Sequence, residues 1–339
     1  MGIVLRRYTP LIVLGMVIAI LAALPALGAP KTWLLYLIYF YIFLAAANMW
    51  NLLAGFSGLL ALCPAAFIGL AGYTMTILTW LQVPYYVGML AGGVVAALFS
   101  IVISPSVFRM RGIYFAIGTL VVPEVLRLVL LRWRPVGGEL QGGGAGYMVK
   151  GVSGIPMQQT YWLGLAVGVA SVLLIAFILR SKFGFGLAAI RDNDVSAASS
   201  GIDVFRLKLY SFIIAAFMTG VAGAIFFTYQ GYIEPNSAFN IRWLMIVLLA
   251  TVIGGKGIEE GPLVGTIIVV ILHFQLARYA DISLLIQGTI LVVIMLAVPQ
   301  GITGLVRDLR RAVAGRALLP TGNTSIFSFI LSRRRKSHE

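Results

Sequence analysis

Charged side chains are scarce in this chain of 339 residues. Only 11% of the residues are Asp, Glu, Lys or Arg, whereas 60% are hydrophobic, and the mean hydropathy is +0.99. A typical soluble domain is about 45–50% apolar and about 25% charged. This composition excludes a soluble globular enzyme and indicates that most of the surface faces a lipid bilayer.

Cysteine and histidine are almost absent, which removes several kinds of chemistry. Cys63 is the single cysteine, so no intramolecular disulfide forms. His273 lies in an apolar run and His338 near the C-terminus, so we expect no metal ligand cluster. The sequence also lacks a paired acid and base. We therefore predict no metal, no cofactor and no enzymatic activity.

Acidic residues are also few, with 11 Asp and Glu against 25 Lys and Arg. In a soluble chain this excess would suggest a nucleic acid partner. In a membrane protein it reflects how the helices are oriented, because cytoplasmic loops carry the surplus of Lys and Arg. We expect membrane lipid as a partner and no nucleic acid.

A phosphate-binding loop is missing as well. The segment 254–257 (Gly-Gly-Lys-Gly) lacks the upstream glycine and the Ser or Thr after the lysine that a P-loop requires. Residues 184–189 fit the loose G-x-G-x-x-A dinucleotide pattern, but an apolar helix precedes them where that motif needs a strand. A pump that hydrolyses ATP itself would need such a signature, and neither segment qualifies as one.

Long apolar runs are what the sequence has in abundance. Ten runs predict an all-α integral membrane protein with about ten transmembrane helices, since in a hydrocarbon core about 30 Å thick only a helix or a closed barrel satisfies its own backbone. We interpret residues 1–29 as a retained span and not a signal peptide, because Pro25 and Pro30 break the usual cleavage pattern. The runs are 11–29, 33–54, 62–80, 84–105, 112–131, 160–180, 209–229, 241–253, 262–280 and 283–298.

The positions of Lys and Arg predict an N-in, C-in orientation. Ten crossings from a cytoplasmic N-terminus leave most of the 25 basic residues on the cytoplasmic side. The domain prediction is one transmembrane domain over 1–305, with a long cytoplasmic loop at about 181–208, and a basic cytoplasmic tail over 306–339.

Polar and helix-breaking residues interrupt the apolar pattern between the second and third runs. Non-helical backbone at this depth is tolerated only where protein or a water-filled cavity covers it. The segment is therefore a candidate wall of a translocation path, and an ordinary tight turn is the alternative. The residues concerned are Asn51, Gly55, Ser57, Gly58 and Pro64.

Glu124 stands near the middle of the run 112–131, directly after Pro123. An ionisable side chain at this depth is costly and usually has a reason. Arg127 follows three residues later on the same helical face. Two interpretations stay open: a role in translocation, or an ion pair that neutralises both charges.

The predicted cytoplasmic loop 181–208 carries the strongest local pattern. Residues 186–201 are compatible with one short helix of small side chains, charged at its centre and ending at a glycine suited to a C-cap. Such an element either docks in a cleft of another protein or is a solvated connection, and the pattern alone favours neither. The candidate residues are Gly186, Ala189, Arg191, Asp192, Asn193, Asp194 and Gly201.

Several ordered blocks carry a family resemblance between about residue 33 and about residue 305. Their number and order resemble the permeases of ABC importers for branched-chain amino acids, the LivM type. The blocks are 51–58 (NLLAGFSG), 65–73 (AAFIGLAGY), 111–120 (RGIYFAIGTL), 124–127 (EVLR), 151–156 (GVSGIP), 188–194 (AAIRDND), 201–202, 208–225 (KLYSFIIAAFMTGVAGAI), 254–255 with 261–265, and 299–301 (PQG).

The resemblance implies a non-enzymatic half-permease with the ABC importer permease fold, in a bacterial or archaeal plasma (inner) membrane. Its implied partners are a second permease, two cytoplasmic ATP-binding subunits and an extracytoplasmic substrate-binding protein. The resemblance further implies that 181–208 is the ATPase-coupling loop, and that the path lies between the two permeases, with residues 55–64 and Glu124 as its wall.

The chain also departs from the family pattern, which leaves its substrate open. Cys63-Pro64 stands where Gly-His or Gly-Gln is common, and the loop 136–156 is enlarged by a glycine-rich segment. Importers of urea or short amides share much of the pattern. A secondary transporter that uses Glu124 is the alternative from another class.

Overall fold

The computed structural model describes residues 15–137, 142–152, 154–298 and 300–313. Proline marks several helix starts, as expected for a residue with a fixed φ and no backbone donor. The helices are α1 (15–23), α2 (Lys31–Trp50), α3 (Pro64–Trp80), α4 (Tyr85–Val107), α5 (Ile113–Arg132), α6 (Met157–Leu179), α7 (Lys182–Asp192), α8 (Asp194–Ser199), α9 (Val204–Gln230), α10 (Pro235–Ala238), α11 (Ile241–Gly254), α12 (Gly261–Leu276), α13 (Ala280–Ala297) and α14 (Gly301–Val313).

Seven stretches of the described residues are long and apolar enough to cross a membrane. They contain α2, α4, α5, α6, α9, α11 and α13. Helices α3 and α12 have 17 and 16 residues and fall below that length, and the start of the first predicted run, residues 11–14, lies outside the described residues. The multi-pass helical fold is confirmed, while the number of ten crossings and their orientation stay predictions.

Glycines allow the helices to approach closely around a core of α2, α3, α4 and α9. A Cβ added to Gly92 of α4 would lie 2.5 Å from the carbonyl oxygen of Ala71 in α3. A Cβ added to Gly168 of α6 would lie 3.0 Å from the ring of Tyr41 in α2. Small residues drive such packing in membranes, where lipid tails are as apolar as leucine.

The connections gather at two ends of the bundle. At one end, the strands β1 (Tyr147–Met148) and β2 (Tyr232–Ile233) pair antiparallel, and the Trp80 indole nitrogen donates a 2.9 Å hydrogen bond to the carbonyl of Met148. The segments 51–63, 181–200 and 255–260 meet at the other end, which we call the coupling end.

The prediction of one helix across 186–201 is wrong, because the structure has two. Asn193 adopts extended backbone (φ −162°, ψ 114°) between α7 and α8, and its Oδ1 accepts hydrogen bonds from the backbone N–H groups of Val195 and Ser196. This N-cap stabilises a new helix start. The glycine C-cap is confirmed: Gly201 has φ +82°, and the N–H of Ile202 bonds to the carbonyl of Ala197.

The predicted boundary between 305 and 306 falls inside α14. That helix begins at Gly301, where φ is +71° and an added Cβ would lie 2.4 Å from the Cα of Gly255. The start of α14 is therefore packed against the loop that follows α11. The rest of the predicted basic tail, residues 314–339, lies outside the described residues.

Candidate coupling and translocation site

The interruption predicted after the second run is present. Helix α2 passes into a π-helical segment, Asn51–Phe56, and residues 57–63 are not helical before α3 begins at Pro64. Gly58 has φ +72°, a conformation that favours glycine. π-helical turns inside α-helices are rare overall, and those that occur are often at functional sites. Residues 51–63, which we call the break, are therefore a candidate site on geometry as well as on sequence.

Side-chain hydrogen bonds hold the irregular backbone in place. The Trp50 indole donates to the carbonyl of Ala61 at 2.7 Å, and the Thr119 hydroxyl accepts the Leu62 N–H at 2.9 Å. The Ser57 hydroxyl donates to the Leu53 carbonyl at 2.7 Å. These bonds give partners to backbone groups of Leu53, Ala61 and Leu62, which would be costly to leave unpaired in an apolar environment.

The Asn51 side chain forms hydrogen bonds to the loop 255–260, which lies far along the chain. We call this contact the clasp and the loop 255–260 the clasped loop. The side chain is 1% exposed, its Nδ2 donates to the carbonyl of Ile258 at 2.9 Å, and its Oδ1 accepts the N–H of Gly257 at 2.8 Å. The amide therefore meets a donor and an acceptor of the backbone in the loop 255–260. Asn51 ties the start of the π-helical segment to the turn between α11 and α12.

Two glycines allow this close approach. A Cβ added to Gly55 would lie 2.6 Å from the nitrogen of Gly257 and 2.2 Å from Oδ1 of Asn51. Gly257 itself has φ +77°, which other residues rarely adopt. The sequence marked Gly254–Gly257 as a failed P-loop, and 254–255 as part of the family resemblance, but did not predict that this glycine run packs against the segment 51–63.

Arg191 joins the coupling loop to the same place. Its Nη1 donates a long, 3.4 Å hydrogen bond to the carbonyl of Gly55, and the Cα of Arg191 lies 3.4 Å from where a Cβ of Gly58 would be. Partial desolvation and then the charge of Arg191 lower the pKa of Lys256. Two groups of predicted residues, those of the coupling loop 181–208 and those of the break 51–63, therefore form one site.

The rest of the coupling loop has a packed face and an open face. Leu187 and Ile190 of α7 are buried, and Gly186 lies against Leu207 of α9. On the open face, the Phe185 and Val195 side chains are 73% and 67% exposed. Asp192 pairs with Arg191, Asp194 pairs with Lys208, and Ala189 is half-buried.

Glu124 is not part of this site. It lies on the exposed side of α5, where its carboxylate pairs with Arg127, and Nη1 of Arg127 donates to Asn236 at 2.9 Å. The ion-pair interpretation is thus present in the structure, and a role in translocation stays a prediction. Among the described residues, no group of three or more His, Cys, Asp or Glu could hold a metal ion.

These features define the class of the protein: a multi-pass membrane protein with a broken helix tied to the loop between α11 and α12. Its sequence matches, over residues 32–299, the family described as "branched-chain amino acid transport system / permease component". The chain belongs to that family.

Individual relatives point to the same family. The high-affinity branched-chain amino acid transport system permease protein LivM of Salmonella typhimurium is 27% identical over 293 residues, which cover 79% of this chain and 69% of the relative. LivM of Escherichia coli is 27% identical over 302 residues, with the same coverage. LivH of Escherichia coli is 28% identical over 150 residues, covering 44% of this chain and 47% of that protein. No solved structure matches the chain.

Proposed function

We propose that this chain is a permease subunit of an ABC importer that moves branched-chain amino acids into the cell, driven by ATP hydrolysis on separate subunits. Membership of the permease family supports the cargo class. The relatives are named as transport permeases, which supports a transport subunit without enzymatic activity of its own.

The observation that carries the proposal is the contact between the coupling loop and the broken helix. A transporter driven by a separate ATPase needs an element that touches both the ATPase and the path, because an effector shifts a conformational equilibrium only through differential contacts. Helices α7 and α8 meet this requirement: Arg191 reaches the carbonyl of Gly55, while Phe185 and Val195 stay exposed.

The exposed face of α5 supports a second permease as partner. Glu124 and Arg127 lie on that face within a helix long enough to span the membrane. A charged pair directed at lipid is unfavourable, and charged side chains within spans normally face protein or a water-filled cavity. The second permease would cover this face, with the path between the two subunits. The partial match to LivH is compatible with such a pair.

The proposed assembly contains this chain, a second permease, two cytoplasmic ATP-binding subunits and an extracytoplasmic binding protein, in a bacterial or archaeal plasma membrane. This chain would cross the membrane ten times with both termini inside. Urea or short amides are the second candidate cargo, since Cys63 and Pro64 depart from the family pattern beside the break. The family assignment does not favour an ion-coupled secondary transporter.

The test is uptake of labelled leucine and, in parallel, urea into proteoliposomes that contain this chain with its candidate partners. We expect leucine uptake that requires ATP and stops when any one partner is omitted. Uptake by this chain alone along a proton or sodium gradient would contradict the importer proposal. ATP-dependent uptake of urea but not leucine would keep the mechanism and change the cargo.

A further inference from the structure

The buried amide of Asn51 makes two hydrogen bonds that local structure does not require. Both go to backbone atoms of one loop, the N–H of Gly257 at 2.8 Å and the carbonyl of Ile258 at 2.9 Å, more than 200 positions further along the chain. A carboxylate would offer no donor and an alanine neither group. The contact therefore depends on an amide at this position.

The two helices that the clasped loop joins are packed closely on each other. A Cβ added to Gly254 at the end of α11 would lie 1.8 Å from the carbonyl oxygen of Gly261 at the start of α12. A Cβ added to Gly265 would lie 1.7 Å from the carbonyl oxygen of Ala250. Such backbone-on-backbone packing makes α11 and α12 one unit, so a force on the loop acts on both helices.

The coupling loop touches the clasp from the other side. Nη1 of Arg191 lies 3.4 Å from the carbonyl oxygen of Gly55, four residues after Asn51 on the π-helical segment. Arg180, at the end of α6, also forms a 3.6 Å ion pair with Glu259 of the clasped loop. The coupling loop, the π-helical segment and the α11–α12 turn are therefore joined by named contacts, and Asn51 makes the side-chain hydrogen bonds between the last two.

We propose that Asn51 is a positioning residue for transport: it transmits displacement of α7, through Arg191 and the π-helical segment, to the helix pair α11–α12. The inference rests on the proposed function, because it assigns the route by which ATP-driven movement of the coupling loop reaches the membrane helices. Such a route needs a contiguous set of contacts whose loss changes the coupling and not only the stability.

Asn48 supplies a matched control. It lies three residues before Asn51 in α2, is 3% exposed, and donates from Nδ2 to the hydroxyl of Ser171 in α6 at 3.0 Å. Asn48→Ala therefore removes a buried amide from the last turn of α2, just before the π-helical segment, without changing a contact to the loop 255–260. Asn51→Asp keeps the acceptor for Gly257 but loses the donor to Ile258, and it serves beside Asn51→Ala in case the smaller side chain prevents assembly.

The experiment measures leucine uptake and ATP hydrolysis in the same proteoliposomes, together with hydrogen exchange of the purified complex. We expect the two Asn51 variants to keep hydrolysing ATP while the uptake per ATP falls on the order of tenfold, within the usual range of coupling between sites. Amides of residues 255–260 should exchange faster in these variants. In Asn48→Ala, uptake and hydrolysis should keep their ratio, and the loop should stay protected.

An unchanged uptake per ATP in both Asn51 variants, with active wild-type complex, would overturn the role of Asn51 and leave the proposed function intact. Faster exchange of the loop with an unchanged ratio would show a purely structural contact and would also overturn it. A wild-type complex without ATP-dependent uptake would instead overturn the proposed function, and the transmitting role with it.

Discussion

At the scale of single residues, the coupling end depends on glycines at positions where any side chain would clash. Gly55 and Gly257 leave room for the Asn51 amide to reach backbone atoms, and Gly58 adopts φ +72° beside Arg191. Where two backbones lie within hydrogen-bond reach, one added methyl group forces them apart. Glycine is therefore a packing requirement here and not only a source of flexibility.

Gly55→Ala tests this requirement. The new Cβ would lie 2.2 Å from Oδ1 of Asn51 and 2.6 Å from the nitrogen of Gly257, and we expect a loss of about 1–3 kcal/mol in the free energy of unfolding, as for overpacked sites. The measurement is thermal unfolding in detergent. Gly288→Ala in α13 is the control, because nothing lies within 4 Å of its added Cβ. Equal melting temperatures for the two variants would contradict the prediction.

The lowered pKa of Lys256 predicts that the stability of the folded protein depends on pH. Desolvation and the charge of Arg191 lower its pKa in the folded protein below the ordinary value of 10.5. The folded state then binds this proton less well than the unfolded state, so the penalty is present at neutral pH and disappears as the pH rises from the lowered folded pKa towards 10.5. We expect Lys256→Met to be more stable than wild type at pH 7, with a difference that shrinks towards pH 10.5. A constant difference across pH 7–10.5 would contradict this assignment.

At the scale of elements, the coupling loop is two helices joined at Asn193. The interruption at Asn193 makes α8 a separate six-residue helix, held by its N-cap and by the ion pair between Asp194 and Lys208. Short helices are marginal by themselves, so these contacts determine whether α8 is formed when the loop is free.

Asn193→Ala removes the N-cap of α8. We expect α8 to lose about 1 kcal/mol, the usual contribution of an Asn cap, so that the amides of Val195 and Ser196 exchange about fivefold faster in hydrogen-exchange measurements. Ser199→Ala is the control, since its hydroxyl bonds back to the carbonyl of Val195 within the same helix. Unaltered protection of Val195 and Ser196 in Asn193→Ala would show that the cap is dispensable.

Val195→Glu tests whether α8 docks on the ATP-binding subunits. Val195 is 67% exposed, so we expect little effect of the substitution on folding. We expect loss of co-purification with the ATP-binding subunits, because a docked charge would be desolvated. Met148 is 63% exposed at the end of the bundle that carries the β-strands. Met148→Glu is therefore the matched control and should retain the ATP-binding subunits. Retention in both variants would place the ATPase contact elsewhere.

At the scale of the whole molecule, the exposed charge pair on α5 is the feature that the single chain does not explain. The Arg127 side chain is 27% exposed and that of Glu124 54%. Within a membrane, removing one member of such a pair leaves the other unneutralised, whereas removing both leaves no uncompensated charge.

A double-mutant comparison separates the two interpretations of Glu124. If the pair only neutralises itself at the interface with the second permease, Arg127→Gln alone should reduce assembly, measured by co-purification, more than the Glu124→Gln, Arg127→Gln double variant, and the double variant should transport leucine. Normal assembly of the double variant without uptake would instead assign Glu124 a role in translocation.

The sequence predicted much of this fold, because the positions and ends of helices depend largely on residues close together in the chain. The scarcity of charge determined the solvent of the fold, the apolar runs determined where helices lie, and Gly201 and Pro64 determined where helices end or begin. An interruption at Gly55–Pro64 was also predicted, since glycine, serine and proline act on their own backbone, although the structure begins the irregular backbone earlier, at Asn51. The split at Asn193 was missed, because a capping Asn resembles any other polar residue in a helical run until its backbone is extended.

Only the tertiary structure decided which of these local features meet. Asn51 with Gly257, and Arg191 with Gly55, are pairs far apart in the chain, and no periodicity relates them. Nor does the sequence separate helix faces directed at lipid from those directed at protein, because both environments are apolar in a membrane. The sequence by itself determined a helical permease with a broken helix, and the packing decided that the break, the coupling loop and the α11–α12 turn form one site while Glu124 lies apart from it.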